Sequence, residues 1–550
     1  MRARMHLLVL GTIVAPVLGQ PSSVVDSPHN LSASGPRSIR ATSESEVCIF
    51  CHTPHNASPI QPLWNRAMPG DAYTVYSSRA LEAEPGQPTG MSKMCLSCHD
   101  GTIALGSVFS RGSPIPMAGG VTTMPPGPGH IGTDLRDDHP ISFPYSSSLA
   151  SRNGKLHSPG ALPPEIRLDG NSELQCTSCH DAHNDSLGKF LVMRNTNSQL
   201  CTSCHQVGAT TIGGHANCSD CHQPHSAPSG PYLLRKQTVT DTCLACHNGT
   251  VAGAANLSSE MSKLSVHDTQ DPVDPPGKAW EHTTCTSCHE PHTMNSGGGG
   301  ARAGVHPNFG SIAGVNAGGS PVVKAAFEYE VCFRCHGDAN RIQPAVPRRI
   351  TQNNTRLEFS PTAVSFHPVE TTGRNQDVPS LKPGWTTAST MTCSSCHGSD
   401  TGLGSGPKGT HGSNYAPLLS ERYETEDFTS ESAGSYALCY KCHDRTNILS
   451  NASFPGHKQH IVDLRTPCSA CHDAHGIASG QGSPTGNSNL INFASNIVFP
   501  DRATGRLEFR DAGMFSGECY LTCHGRDHSP ARYPDTPGAL RSIQGGRRLR

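Results

Sequence analysis

The chain is 550 residues long with a formal net charge of −2; hydrophobic residues make up 35%, aromatics 5%, and there are 56 Gly and 44 Pro. This composition excludes a series of ordinary globular domains, because so little apolar side chain cannot offset the entropy of ordering the backbone. Something else must supply the core, and 24 cysteines with 31 histidines are the unusual resource.

Residues 1–19 read as a secretory signal: Arg2 and Arg4 precede an apolar run at 7–18, and Val17, Leu18 and Gly19 offer a small-residue cleavage site. The run is short for a bilayer span, and no later stretch is apolar enough for one. The expected destination is the periplasm, or the outer membrane and cell exterior. Cysteines there would ordinarily form disulfides.

Their spacing points elsewhere. In chain order the cysteine pairs and the histidines directly after them are Cys48/Cys51 with His52, Cys95/Cys98 with His99, Cys176/Cys179 with His180, Cys201/Cys204 with His205, Cys218/Cys221 with His222, and Cys243/Cys246 with His247. Then come Cys285/Cys288 with His289, Cys332/Cys335 with His336, Cys393/Cys396 with His397, Cys439/Cys442 with His443, and Cys468/Cys471 with His472. A twelfth, Cys519/Cys523 with His524, has three intervening residues where the others have two, and the twelve absorb every cysteine. Cys-x-x-Cys-His is the attachment pattern of c-type haem. Two thiols one helical turn apart reach the porphyrin vinyl groups, and the adjacent imidazole falls under the iron. A zinc site predicts cysteine knuckles with no fixed histidine, and a disulfide framework gives no reason for histidine at that place twelve times. Only the stretched last motif keeps a disulfide, Cys519 to Cys523, as its alternative. Twelve covalent haems c are expected.

The segments 176–200 and 218–242 align at an offset of 42, each running Cys-x-x-Cys-His-x-x-His, a polar stretch and an apolar triplet (Phe190, Leu191, Val192 against Tyr232, Leu233, Leu234). Extended along the chain, this repeat gives six doublets at 20–110, 111–210, 211–255, 256–345, 346–450 and 451–550, the last including a basic tail with Arg547, Arg548 and Arg550. In five, the first motif carries another histidine three residues past the proximal one: His55, His183, His225, His292 and His475. The fifth doublet lacks it, and His411 takes that role. Such a residue is too close in the chain to cap its own iron but can reach a neighbour's. Six further distal ligands are expected from the segments before each doublet: His29; His139, with His130 and His157 competing; His215; His267 or His282; His367; and His460 or His457. Twelve proximal and twelve distal imidazoles then serve twelve irons. His6 lies in the signal, and His306 and His528 have no role in this scheme.

The stretches 48–55, 95–101 and 138–143, with Cys-x-x-Cys-His-x-Pro-His followed by a second Cys-x-x-Cys-His, resemble the doubled-CXXCH multihaem c-type cytochromes of metal-reducing bacteria. The resemblance implies bis-histidine haems in a close-packed array and electron transfer in the periplasm or beyond the outer membrane. The expected fold is mostly irregular, with short helices at the motifs, few or no strands and the haem array as core. Haem propionates make the loaded protein acidic, which disfavours nucleic acid. Expected partners are other cytochromes or redox proteins, with metal ions or minerals as acceptors and association with an outer-membrane porin or self-assembly as further options. Electron transfer is the leading function, with catalysis less expected than simple transfer. The alternatives are a reductase with one open haem and a structural subunit of a conducting filament or conduit.

Overall fold

The computed structural model describes residues 23–59, 62–78, 80–207, 215–267, 269, 283–294, 306–338, 345–401, 407 and 409–534. The signal segment, His282 and the basic tail lie outside them. The chain forms two compact units, one of residues up to 209 with 213–238 and one of 239–550 with 210–212. The first carries five motifs, beginning at Cys48, Cys95, Cys176, Cys201 and Cys218, and the second carries seven. The boundary falls inside the third doublet.

Most of the backbone is coil and turn, as the composition predicts, and seven of the helices are single turns that begin at the first cysteine of a motif. The local sequence explains why. In Cys-Thr-Ser-Cys and Cys-Ser-Ser-Cys the serine Oγ accepts from the amide just before the first cysteine, at 3.1 Å for Ser287 and Thr284 and 3.0 Å for Ser395 and Thr392. This bond caps a turn that is too short to stand by propensity alone. Two longer helices, Gly90–His99 and Glu328–His336, each end on a proximal histidine.

Strands are mostly two-residue antiparallel pairs. In the first unit β1 (Phe143–Pro144) pairs with β2 (Glu173–Leu174). In the second, β3 (Ser265–Val266) pairs with β7 (Gly412–Ser413), β4 (Gly314–Val315) with β5 (Pro321–Val322), and β6 (Ser365–Phe366) with β8 (Gly476–Ile477). One larger sheet stands near the C-terminus: β11 (Gly517–Cys523) is flanked by β10 (Glu508–Asp511) and β12 (Arg526–Tyr533), and also pairs with β9 (Val498–Phe499).

Apolar clusters are small and scattered. The first unit packs Ile49, Phe50, Val108 and Ile115 together, and the second packs Phe493, Ile497, Val498, Phe509 and Leu521. The second unit also surrounds a cavity of about 3470 Å³, lined by motif residues such as Cys285, His289, Cys396, His397, Cys471 and His472. That is several times the roughly 300–1,000 Å³ of a site for one small molecule. Six of the seven motifs in this unit face a shared interior that protein side chains do not fill; the Cys243 motif does not line it.

Candidate haem sites

Eleven of the twelve motifs are closed turns. In nine of them the histidine amide donates to the carbonyl of the first cysteine at 2.8–3.0 Å, and in the Cys95 and Cys332 motifs the turn belongs to a longer helix. The apolar triplets of the sequence repeat then loop back onto the proximal ring. His180 Nδ1 donates to Lys189 O at 2.9 Å and His222 Nδ1 to Tyr232 O at 2.8 Å; His397 and His472 repeat this with Pro417 O at 3.0 Å and Asn489 O at 2.9 Å. Each loop holds a non-glycine residue at left-handed φ: Phe190 (56°), Leu233 (51°), Leu418 (55°) and Leu490 (63°). Such conformations cost free energy and persist where the surroundings enforce them. With Nδ1 committed to a carbonyl, Nε2 of each ring is the nitrogen left to bind a metal.

The rings come in facing pairs. Two imidazole nitrogens bonded to one metal at about 2.0–2.1 Å each stand about 4 Å apart, which puts the ring centroids about 6 Å apart. In the first unit His52 faces His183 at 6.0 Å, His99 faces His29 at 6.1 Å, His180 faces His225 at 6.1 Å, and His205 faces His139 at 6.2 Å. In the second, His289 faces His411 at 6.1 Å, His336 faces His267 at 6.2 Å, and His397 faces His475 at 6.2 Å. His443 faces His367 at 6.5 Å and His472 faces His457 at 6.4 Å. Among the described residues no group of three or more His, Cys, Asp or Glu could hold a metal ion by itself, and all 24 cysteines are free of disulfides. Paired imidazoles beside free thiols fit covalent haem and do not fit zinc.

The pairs follow one pattern in the first, second, fourth and fifth doublets. The first motif is faced by the close histidine of the next doublet, or by His411 in its place, as His52 by His183 and His397 by His475. The second motif is faced by the histidine that precedes its own doublet, as His99 by His29 and His443 by His367. These two distal residues arrive side by side on paired backbone. His267 follows β3 and His411 precedes β7; His367 follows β6 and His475 precedes β8. His267 Nδ1 donates to Thr410 O at 2.8 Å, His367 Nδ1 to Ala474 O at 2.6 Å, and His29 Nδ1 to Ala182 O at 3.2 Å, each acceptor being the residue just before the neighbouring ligand. In the first unit His139 N donates to Pro224 O at 2.8 Å, next to His225. Glycine makes the approach possible in the second unit: a Cβ on Gly412 would lie 1.9 Å from Glu260 O, and one on Gly476 would lie 2.4 Å from Glu358 O.

Burial keeps these rings neutral, as metal ligation requires. Desolvation first and neighbouring imidazoles second pull His336, His397, His411 and His443 down to about 4, and His457 to about 3. His475 goes the other way: burial lowers it, but its Nδ1 donates to Glu358 Oε2 at 3.1 Å and the carboxylate more than offsets the burial. His225 likewise donates to Asp138 Oδ1 at 3.0 Å and His292 to Glu290 Oε1 at 2.8 Å. A carboxylate acceptor gives the imidazole more anionic character than a carbonyl does.

Successive motifs also touch through their thiols. Hydrogen bonds join the first cysteines of Cys95 and Cys176, Cys201 and Cys218, Cys243 and Cys285, Cys332 and Cys393, and Cys439 and Cys468. At alternate junctions it is the second cysteines that interact, as Cys51 with Cys98, Cys179 with Cys204, and Cys396 with Cys442. Side chains of the preceding motif help dock the next one. Ser92 Oγ accepts from Cys176 N at 3.0 Å, Ser198 Oγ accepts from Cys218 N at 2.7 Å, and Glu328 Oε1 accepts from Ser394 N at 2.7 Å. Within each unit, neighbours in sequence are neighbours in space.

The expected set of site residues meets this geometry at most positions and departs from it at three. His55 is exposed, and no ring faces it among the described residues. His457 and His460, read as alternatives, each face a ring of the last doublet, His457 facing His472 at 6.4 Å and His460 facing His528 at 6.4 Å.

In the third doublet the local turns are intact, with Cys246 N donating to Cys243 O at 3.2 Å and His222 N to Cys218 O at 2.8 Å. Cys246 is exposed, as is Cys48, and the Cys221 carbonyl accepts from Arg235 N at 2.9 Å.

The third departure is the last motif, which is not a helical turn. Cys519 and Cys523 lie on β11, so the extended backbone sets their Cα atoms about 13 Å apart. A disulfide needs about 7 Å or less. The backbone turns back at His524 and Gly525, at φ 50° and 74°, and His524 Nε2 contacts both carboxylate oxygens of Asp427 at 2.9 Å. The ring opposite His460, at 6.4 Å, is His528, a residue with no role in the sequence scheme. The stretched spacing was the available signal that this motif differs.

Two family models match the chain. Residues 171–210 and 213–252 match the doubled CXXCH motif, and residues 318–482 match outer membrane cytochrome MtrC/MtrF-like, domains II/IV. Comparison with curated proteins finds no match.

Proposed function

As this chain is a multihaem c-type cytochrome, we propose that it carries twelve covalent haems, each between two imidazoles, and passes electrons along them in the order of the sequence. The observation that carries this reading is the series of facing histidine pairs, all at 6.0–6.5 Å and each beside free thiols. Bound haem supplies one-electron redox chemistry, with a potential tuned by axial ligands, hydrogen bonds and exposure. The chain's own residues set the spacing through the thiol contacts, orient the imidazoles through Nδ1, and keep them neutral by burial. An iron held on both faces has no position left for a substrate, so the geometry favours transfer over bond chemistry.

The match to an outer membrane cytochrome domain supports an exported protein with other cytochromes as its redox partners. No helix among the described residues is long and apolar enough to cross a membrane. Metal ions or minerals outside the cell are the acceptors this setting favours.

Intact mass combined with a pyridine haemochrome assay tests the reading. Twelve haem masses on the chain, with ferric spectra that are low-spin throughout, are expected. Zinc or cystine at the motifs, or fewer haems than motifs, would end it.

A further inference from the structure

We infer that the haem at Cys519 and Cys523 takes His460 and His528 as its axial ligands, and that His524, the histidine next to the motif, anchors a hairpin instead. The inference rests on the reading that this motif carries a haem, and goes beyond it by naming which residues hold the iron.

A helical Cys-x-x-Cys-His turn puts the proximal imidazole under the porphyrin because consecutive side chains sweep around one face of the turn. A strand cannot do this, because successive side chains point to opposite faces. On β11, residues 519, 521 and 523 share one face, which packs against the cluster of Phe493, Val498 and Phe509. His524 has the opposite parity and stands at the hairpin tip. Histidine on the cysteine face must come from the returning strand. His528 is the cross-strand partner of Leu521 on β12, and directly opposed residues share a face.

The position opposite is already defined. In the first, second, fourth and fifth doublets the second motif is faced by the histidine that precedes the doublet. For the last doublet that residue is His460, whose Nδ1 donates to Gly456 O at 2.7 Å and leaves Nε2 available. Its ring faces His528 at 6.4 Å, within the range of the other pairs, and both residues line the cavity that also holds Cys519 and Cys523. His524 shows the reverse arrangement. Its Nε2, the atom the other motif histidines keep for metal, contacts both oxygens of Asp427, and its ring stacks on Phe428 at 4.6 Å.

The test uses the full holoprotein and counts CO bound per chain after reduction, because only an iron that has lost a protein ligand binds CO. Wild type should bind none. His528→Ala should keep twelve haem masses and bind one CO, and His460→Ala should do the same. The double variant should still expose a single iron, because both residues serve the same one. Where His528→Ala does not accumulate, His528→Met keeps a weaker ligand in place. It should raise the potential of one haem and leave the others unmoved. A His528→Ala chain with twelve haems and no CO binding, or a His528→Met titration that matches wild type, overturns the assignment alone. A wild-type mass of eleven haems, none at Cys519 and Cys523, overturns the attachment reading and the axial pair with it.

Discussion

The motifs at Cys468 and Cys519 lie in the same unit, and Cys471, Cys519 and Cys523 pack against one apolar cluster, yet the two motifs are built on different backbones. The first is a turn in which His472 N donates to Cys468 O at 3.0 Å and Nδ1 is pinned by Asn489 O. The second is a strand whose following histidine turns away onto Asp427. The contrast teaches that the proximal histidine's place in the chain follows from helical geometry and is not a property of the cysteine pair. Change the backbone from turn to strand, and the ring that faces the interior moves from the next residue to one across a hairpin.

The largest way to break the comparison is acid. The turn-built sites of the second unit rely on imidazoles held neutral, with His336, His397, His411 and His443 at about 4 and His457 at about 3. In the unfolded chain these groups take up protons near their ordinary value of about 6.5. Because the unfolded state binds more protons between the two values, stability must fall as pH drops below about 6.5 and keep falling toward about 4. Low-spin absorbance followed from pH 8 to pH 4 should fall cooperatively, and a spectrum unchanged at pH 4 would contradict the burial argument.

A more selective perturbation is Gly476→Ala. Its Cβ meets Glu358 O at 2.4 Å, so β6 and β8 must separate and His475 must withdraw from His397. We expect a loss of about 1–3 kcal/mol from overpacking and one CO-binding iron, with the strand-built site undisturbed. Gly160→Ala, with nothing within 4 Å of the added carbon, is the control and should match wild type in melting temperature and CO binding. Equal behaviour of the two variants would remove the strand pair from the account of ligand delivery.

The smallest effect distinguishes one turn-built site from its neighbours. Glu358→Gln replaces the carboxylate that accepts from His475 Nδ1. A neutral acceptor stabilises the oxidised iron less, so the potential of that one haem should rise, by about 40 mV if the change is worth about 1 kcal/mol. Spectroelectrochemistry would show one component moving. A uniform shift of all components would mean that the charge acts through the field of the whole protein and not through this ligand.

Much of this arrangement was legible in the chain. The attachment cysteines, the doublet repeat and the largely irregular fold all follow from residue spacing and composition, since a turn of Cys-x-x-Cys-His is a local structure. So do the positions of eight histidines that face motif histidines in the fold, because histidines at recurrent offsets have few other uses. What could not be read was pairing over distance. That His183 serves His52 and His475 serves His397 depends on strand contacts such as β6 with β8, which join residues more than a hundred positions apart. His55 fitted the same local pattern and has no such contact. His457 and His460 looked like alternatives because one repeat needs one ligand. That both face rings of the last doublet is decided by how the chain folds around them.

The amino-acid sequence by itself determined where the sulfurs and most of the imidazoles are, because those positions are fixed within a single turn of backbone. Tertiary structure alone decided which ring opposes which and how the motifs line up. It also decided that the final motif lies in a sheet. The physical reason is that facing two nitrogens across one metal is a condition on separations in space, and only the pairing of distant segments can satisfy it.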